Sequence, residues 1–195
     1  MKELTATTLG GMTRALCKRY GATVRSKEDS AFMRELAALL AALGIQDRDT
    51  FLHKYSLTLG HNIYLCFAVG DTGRRAPTLL SQLMTVAHEL EHVVLYDAAG
   101  AVAYDAGYLD SAQRAICEAR CYLVNLEVYA LYTRATTGKL AVFDINLAPI
   151  LAAYGCGKVD VRAAHVVLDK GARVVAKGGI NTAAAQAVGR WFGWA

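Results

Sequence analysis

Between Thr78 and Tyr96 the chain holds neither Gly nor Pro, and Leu79, Leu83, Leu90 and Val94, with Ala87 between them, recur at three- and four-residue steps. That spacing predicts a helix with one core-facing stripe. Pro77 suits its first turn, where a missing N–H costs nothing, and Gly100 is a natural residue to end it. Upstream, a short amphipathic helix is predicted over Thr5 to Tyr20. A second helix is expected to start at Ser26-Lys27-Glu28-Asp29 and run to Leu43, where Gly44 stops it. From Phe51 to Leu59 the pattern changes to alternation, with Phe51, His53, Tyr55, Leu57 and Leu59 on one side. This predicts a strand, a turn at Gly60-His61-Asn62, and a second strand from Ile63 to Val69. After Gly100 a loop is expected over Ala101 to Asp110, carrying Tyr104, Asp105 and Tyr108. Ser111 then reads as the cap of a long helix reaching about Arg134. The remainder is Ala-rich and helical, over about Asn146 to Tyr154, Val161 to Ala176 and Thr182 to Phe192, with Gly-rich joints between.

These elements define one α+β domain spanning residues 1–195, a small antiparallel hairpin sheet packed on helices with a helical C-terminal half. A hydrophobic content of 54% with two prolines argues against disorder. Met1 to Arg14 is polar and Thr-rich, so no signal peptide is read there, and no apolar run is long enough to span a bilayer. The five cysteines are therefore expected to be reduced thiols in a cytoplasmic setting. Cys117 and Cys121 stand one helical turn apart, but two thiols without a second pair fall short of a soft-metal site. The net charge of +4 is scattered. With no interleaving of basic and aromatic residues, neither nucleic acid nor membrane is an expected partner.

Within the predicted helix at 78–96 lies His88-Glu89-Leu90-Glu91-His92, an H-E-x-x-H pattern. On a helix, His88 and His92 project to the same side one turn apart. Two imidazoles so spaced reach one tetrahedral Zn²⁺, and Glu89 beside them can address a water. A shuffled chain of this composition would hold the pattern roughly once in two hundred tries, so helix placement is what gives it weight. At about 100° per residue the histidines fall well round from the apolar stripe, towards a cleft. Glu89 and Glu91 fall on opposite flanks.

A catalytic zinc commonly takes three protein ligands. The extended form with a glycine and a third histidine is absent, because Leu95 and Ala98 occupy those places. A carboxylate from a later element is expected instead. Glu118 is the choice, since a lone glutamate amid Ala, Ile and Cys is costly unless paired or metal-bound. With Ala115, Tyr122, Asn125 and Tyr129 it shares a semi-polar helix face. Glu127, Asp97, Asp105 and Asp110 are the competing ligands, and pairing of Glu118 with Arg114 or Arg120 is the structural alternative.

On these residues, from Phe51 to Arg134, the chain resembles the gluzincins, zinc peptidases in which H-E-x-x-H is joined by a glutamate from a downstream helix. It is most similar to small single-domain members from bacteria and phages. It departs from the thermolysin-like members at Cys117 and Tyr122, where those have Asn and Asp. Asn125, Asp105 or a backbone carbonyl is left to buttress a ligand histidine. The resemblance implies a zincin-like fold and hydrolysis of peptide or protein substrates, with the strand before the helix holding substrate backbone. His88, His92 and Glu118 would hold Zn²⁺, and Glu89 would be the general base. Tyr122, Tyr104, Tyr108 and His165 are the candidate oxyanion donors, with Tyr122 taken first and the choice among them left open. It also implies a second class of role, a non-catalytic zinc module, regulatory or virion-associated.

Overall fold

The computed structural model describes residues 1–194, in which nine helices accompany one three-stranded sheet. Helix α1 (Ala6–Arg19) starts in a reciprocal cap, with the Thr5 hydroxyl accepting from the Thr8 N–H and the Thr8 hydroxyl from the Thr5 N–H. Strand β1 (Thr23–Ser26) follows. Its four residues carry too little pattern to be read from sequence, and Ser26 ends this strand rather than opening a helix. The cap of α2 (Ala31–Ala42) is Ser30, whose hydroxyl accepts from the Met33 N–H.

The predicted strand at 51–59 is mostly a helix, α3 (Arg48–Lys54), capped by Asp47 through the Thr50 N–H. Only Leu57–Leu59 (β2) is extended, and Asn62–Leu65 (β3) is shorter than expected. Alternation over Phe51, His53 and Tyr55 mimics a strand, but the Asp47 cap and burial of Phe51 and Leu52 on one face favour the helix. The sheet order is β1-β3-β2. β2 and β3 form the antiparallel hairpin, from Leu57 opposite Tyr64 to Leu59 opposite Asn62. β1 runs parallel to β3, so the sheet is mixed rather than antiparallel throughout. β2 is left as an edge.

Helix α4 (Leu79–Ala99) is capped by Thr78 and stopped at Gly100, whose φ of +80° suits glycine. Pro77 sits just before the cap. The helix is buried on every side from Val86 to Val93, so the single-stripe reading understates it. Gly100 leads straight into α5 (Ala101–Leu109), where a loop was expected. None of its residues is fully buried and no side chain caps it, so neither a stripe nor a cap announces it. The cap of α6 (Ser111–Thr137) is Asp110 rather than Ser111, through the Gln113 N–H. Helices α7 (Leu147–Ala153), α8 (Lys158–Val175) and α9 (Ala183–Phe192) complete the fold.

Two large apolar clusters hold these elements. One joins α1, the sheet, α4 and α9 through Leu9, Met12, Ile63, Leu65, Leu90, Val188 and Phe192. The other lies between α6, α7 and α8. There α8 approaches α6 closely at Gly171, where a Cβ would fall 2.5 Å from a Leu123 methyl. The α6 helix thus spans both clusters, with Glu118 between them and the face of α4. Among the described residues, no helix is long and apolar enough to cross a membrane.

Candidate metal centre

The local folding of α4 and α6 dictates which polar groups meet. Val86, Leu90 and Val93 commit α4 to the core, which turns His88 and His92 towards α6 and a cleft of about 840 Å³. Ala115 and Ala119 commit α6 to its own cluster and bring Glu118 to face them. His88 Nε2 lies 3.7 Å from Glu118 Oε2, and His92 Nε2 lies 3.6 Å from Glu118 Oε1. All three side chains are almost fully buried.

Those distances are too long for hydrogen bonds. Two donors at ordinary zinc distances in a tetrahedral shell stand about 3.4 Å apart, close to the observed spacing. Glu118 Oε2 is buried with no hydrogen-bond partner among the described residues. A buried carboxylate oxygen left without a donor is costly unless a cation meets it. The donor set therefore fits Zn²⁺.

In the metal-free state, charge ties Glu118 and the histidines to one another. Burial alone would raise the Glu118 pKa, but His92 and His88, with a bond from Tyr108, bring it to about 2. Burial likewise opposes charge on His92, yet Glu118, then Cys117 and Glu89, lift its pKa to about 9. Among the described residues, the three side chains whose ligand atoms all lie within 4.8 Å of one another are His88, His92 and Cys121, a set without Glu118. We favour Glu118. It is already ionised, whereas burial and the neighbouring Cys117 push the Cys121 thiol well up and hold its proton.

The surrounding side chains orient the histidines. His92 Nδ1 lies 2.8 Å from the Tyr104 hydroxyl, which lies 3.3 Å from Cys117 Sγ. With Nδ1–H donating to Tyr104 and Tyr104 donating to Cys117, Nε2 is the His92 nitrogen that faces Glu118, and a metal would displace the proton held there. The Cys117 thiol is drawn down to about 5, first by its bond with Cys121 and then, against burial, by His92. Tyr104 and Cys117 thus take the supporting role assigned to Asn125 or Asp105. The Asn125 oxygen has no partner among the described residues, and Asp105 is exposed on the cleft wall. Neither Tyr104 nor Cys117 carried a sequence signal for this role, because their meeting depends on α5 folding over α6.

Tyr108 donates to Glu118 Oε1 and stacks on Tyr104. Tyr122 meets the His88 ring edge-on at 4.7 Å. Burial, then the charges of Glu118 and Glu89, raise its pKa, so its phenol stays a donor. Tyr104 and Tyr108 already spend their hydroxyls, which leaves Tyr122 among the phenols expected from sequence; Tyr55 and Tyr154, which the sequence did not single out, line the same cleft. His165 is half-buried on α8 and does not line the cleft.

Glu89 lies on the cleft side of α4, and its Oε2 accepts from the Thr58 hydroxyl at 2.6 Å. This ties the glutamate to edge strand β2, a contact that the sequence left unread. The competing acids lie elsewhere. Glu127 accepts from the Asn181 and Thr182 N–H groups and the Thr182 hydroxyl, ahead of α9. Asp97 pairs with His61 at 2.6 Å, and Asp110 caps α6. Arg120 lies 4.0 Å from Glu91, and Arg114 donates to the Tyr108 carbonyl, so neither pairs with Glu118. All five cysteines are free thiols.

No protein-family model, no curated protein and no solved structure matches the chain.

Proposed function

We propose that this protein is a zinc-dependent peptidase with a zincin-like arrangement of the gluzincin kind. His88 and His92 from α4 and Glu118 from α6 are its ligands. The observation that carries the reading is the pair of imidazole Nε2 atoms facing one ionised carboxylate at 3.7 and 3.6 Å, its Oε2 without a hydrogen-bond partner among the described residues, on the floor of an open cleft. Held by these three side chains, Zn²⁺ would supply Lewis acidity for hydrolysis.

The chain's own groups perform the remaining steps. Glu89, positioned by Thr58, takes the proton of the attacking water and passes it to the leaving nitrogen. Tyr122 donates a hydrogen bond to the developing oxyanion. The β2 edge lines the cleft beside Glu89, so an extended substrate can add to it as a further strand. Tyr104 and Cys117 hold the His92 ring in its ligating tautomer, and Tyr108 fixes the Glu118 carboxylate.

The other reading, a zinc module without turnover, is weakened by the same features. A structural staple is closed and needs no base. Here a glutamate is tethered next to the histidines, in a cleft within the ordinary volume range of ligand sites. The test is Glu89→Gln, assayed against a mixed peptide library with and without chelator. The variant is expected to bind zinc as the wild type does and to lose turnover. Proteolysis retained in Glu89→Gln, or none in the zinc-loaded wild type, counts against the proposal.

A further inference from the structure

We infer that Lys27 anchors a substrate carboxylate within the cleft, which makes this site selective for peptides bearing an acidic group next to an apolar residue. The inference rests on the peptidase reading above for the identity of the substrate as a peptide. Lys27 follows β1 directly, and its N–H donates to the Leu65 carbonyl, which fixes it to the sheet. It is only 1% exposed, yet it forms part of the cleft wall. Its Nζ donates to the Phe51 carbonyl at 2.9 Å and sits 3.9 Å over the Phe51 ring.

An ammonium has three donors, and Phe51 accounts for one. A buried lysine is ordinarily paired with an acid. Among the described residues no carboxylate lies within 4.0 Å of Lys27. Cys66 and then Glu89 are near enough to be felt, but neither bonds Lys27 and Glu89 Oε2 is bound by Thr58. The Phe51 carbonyl belongs to the last turn of α3, so part of the lysine's role is to cap that helix. Capping alone needs a hydrogen-bond donor and not a full charge, which is costly to bury. Burial lowers the Lys27 pKa to about 8, which leaves it protonated at neutral pH.

The surroundings say which anion fits. One ammonium matches a monoanion, and Glu89, whose charge reaches Lys27, disfavours a multiply charged group. Phe51 lies under the ammonium, and Tyr55, Leu57 and Ile150 supply apolar wall to the same cleft. A peptide carboxylate beside an apolar side chain meets both conditions, whether from the chain terminus or from an acidic side chain.

The experiment is calorimetric binding to zinc-loaded Glu89→Gln protein of three probes: acetyl-Ala-Leu-Phe as the free acid, the same peptide as its amide, and acetyl-Ala-Glu-Phe amide. The free acid or the glutamate-containing amide is expected to bind about 10-fold or more tightly than the plain amide, and the stronger of the two names the carboxylate's source. Adding Lys27→Met should bring that ratio to within about two-fold. Lys27→Gln, which keeps a donor for the Phe51 carbonyl, should do the same and covers the case in which the methionine variant does not fold. A ratio near one in the Lys27 protein, or a preference that survives either substitution, overturns the inference. Wild-type cleavage is read separately. A Lys27-dependent preference without cleavage sinks the peptidase reading and leaves the carboxylate anchor standing, and cleavage without the preference does the reverse.

Discussion

Tyr104→Phe isolates the contribution of one hydroxyl to the metal centre. The ring itself is retained, so stacking on Tyr108 at 5.9 Å and the edge contact with Tyr96 at 5.5 Å persist. The 2.8 Å contact to His92 Nδ1 and the 3.3 Å contact to Cys117 Sγ are lost. What remains for the His92 N–H is Cys117 Sγ at 3.7 Å, a long contact. Losing one hydrogen bond in a buried site, with a partial substitute at hand, costs about 1–2 kcal/mol. At 1.4 kcal/mol per decade this is a five- to thirty-fold loss of zinc affinity, roughly within the range for partners of ligand histidines. Competition of the purified variant against a chromophoric chelator reads it directly. Cys117→Ala should weaken zinc for the same reason, and the double variant should lose less than the sum, because both act through one ring. Zinc affinity within about two-fold of wild type in a correctly folded Tyr104→Phe protein would refute the relay.

Glu118→Ala should lose stoichiometric zinc. Glu127→Ala should keep it but lower unfolding stability by about 2–4 kcal/mol, since it strips three donors of their acceptor ahead of α9; metal analysis with urea titration separates the two. In metal-free protein, the raised His92 pKa stabilises the fold fully below the unfolded value of 6.5, and this is lost as pH rises through about 9. The depressed Glu118 pKa stabilises fully above 4.5, and this is lost as pH falls through about 2. Their joint contribution should therefore peak between pH 4.5 and 6.5, visible in melts with chelator present. Zinc must displace the His92 proton, so its affinity should climb from pH 7 to 9. Gly171→Ala should cost about 1–3 kcal/mol by overpacking α8 on Leu123 without changing zinc stoichiometry, checked by denaturant titration.

What could be read from sequence was what a single helix encodes. The α4 pattern carried both its placement and the shared side of His88 and His92. Glu118 stood out because a carboxylate amid Ala, Ile and Cys needs a reason to be there. Elements without a periodic face were misread. α5 has no fully buried residue and no side-chain cap, and its two inward tyrosines could not be told from a loop's. α3 was hidden by accidental alternation, although Asp47 three residues before Thr50 marks its start. β1 pairs in parallel with a strand about forty residues away, a choice made by tertiary packing. The Thr58–Glu89 bond and the Tyr104–Cys117 pair have the same origin, since each joins residues that no local periodicity relates.

The four buried glutamates of α4 and α6 show how such a fold distinguishes a ligand from a support. Glu91 and Glu127 both serve α9, one accepting from the Ala184 N–H and the other from Asn181 and Thr182. A helix N-terminus offers partial positive charge, and in both cases burial outweighs it and the pKa stays raised. Glu118 is as buried, but faces two imidazoles and is held ionised. Glu89 meets a hydroxyl and the cleft. Burial and residue type are common to all four, so neither one identifies the site. The facing groups do: backbone N–H donors tie an acid to the scaffold, while a pair of imidazoles leaves one oxygen without a donor. By that criterion Glu91, although inside the H-E-x-x-H motif, belongs to the architecture, and Glu118, twenty-six residues beyond His92, is the acid that faces the histidines and the one proposed as ligand.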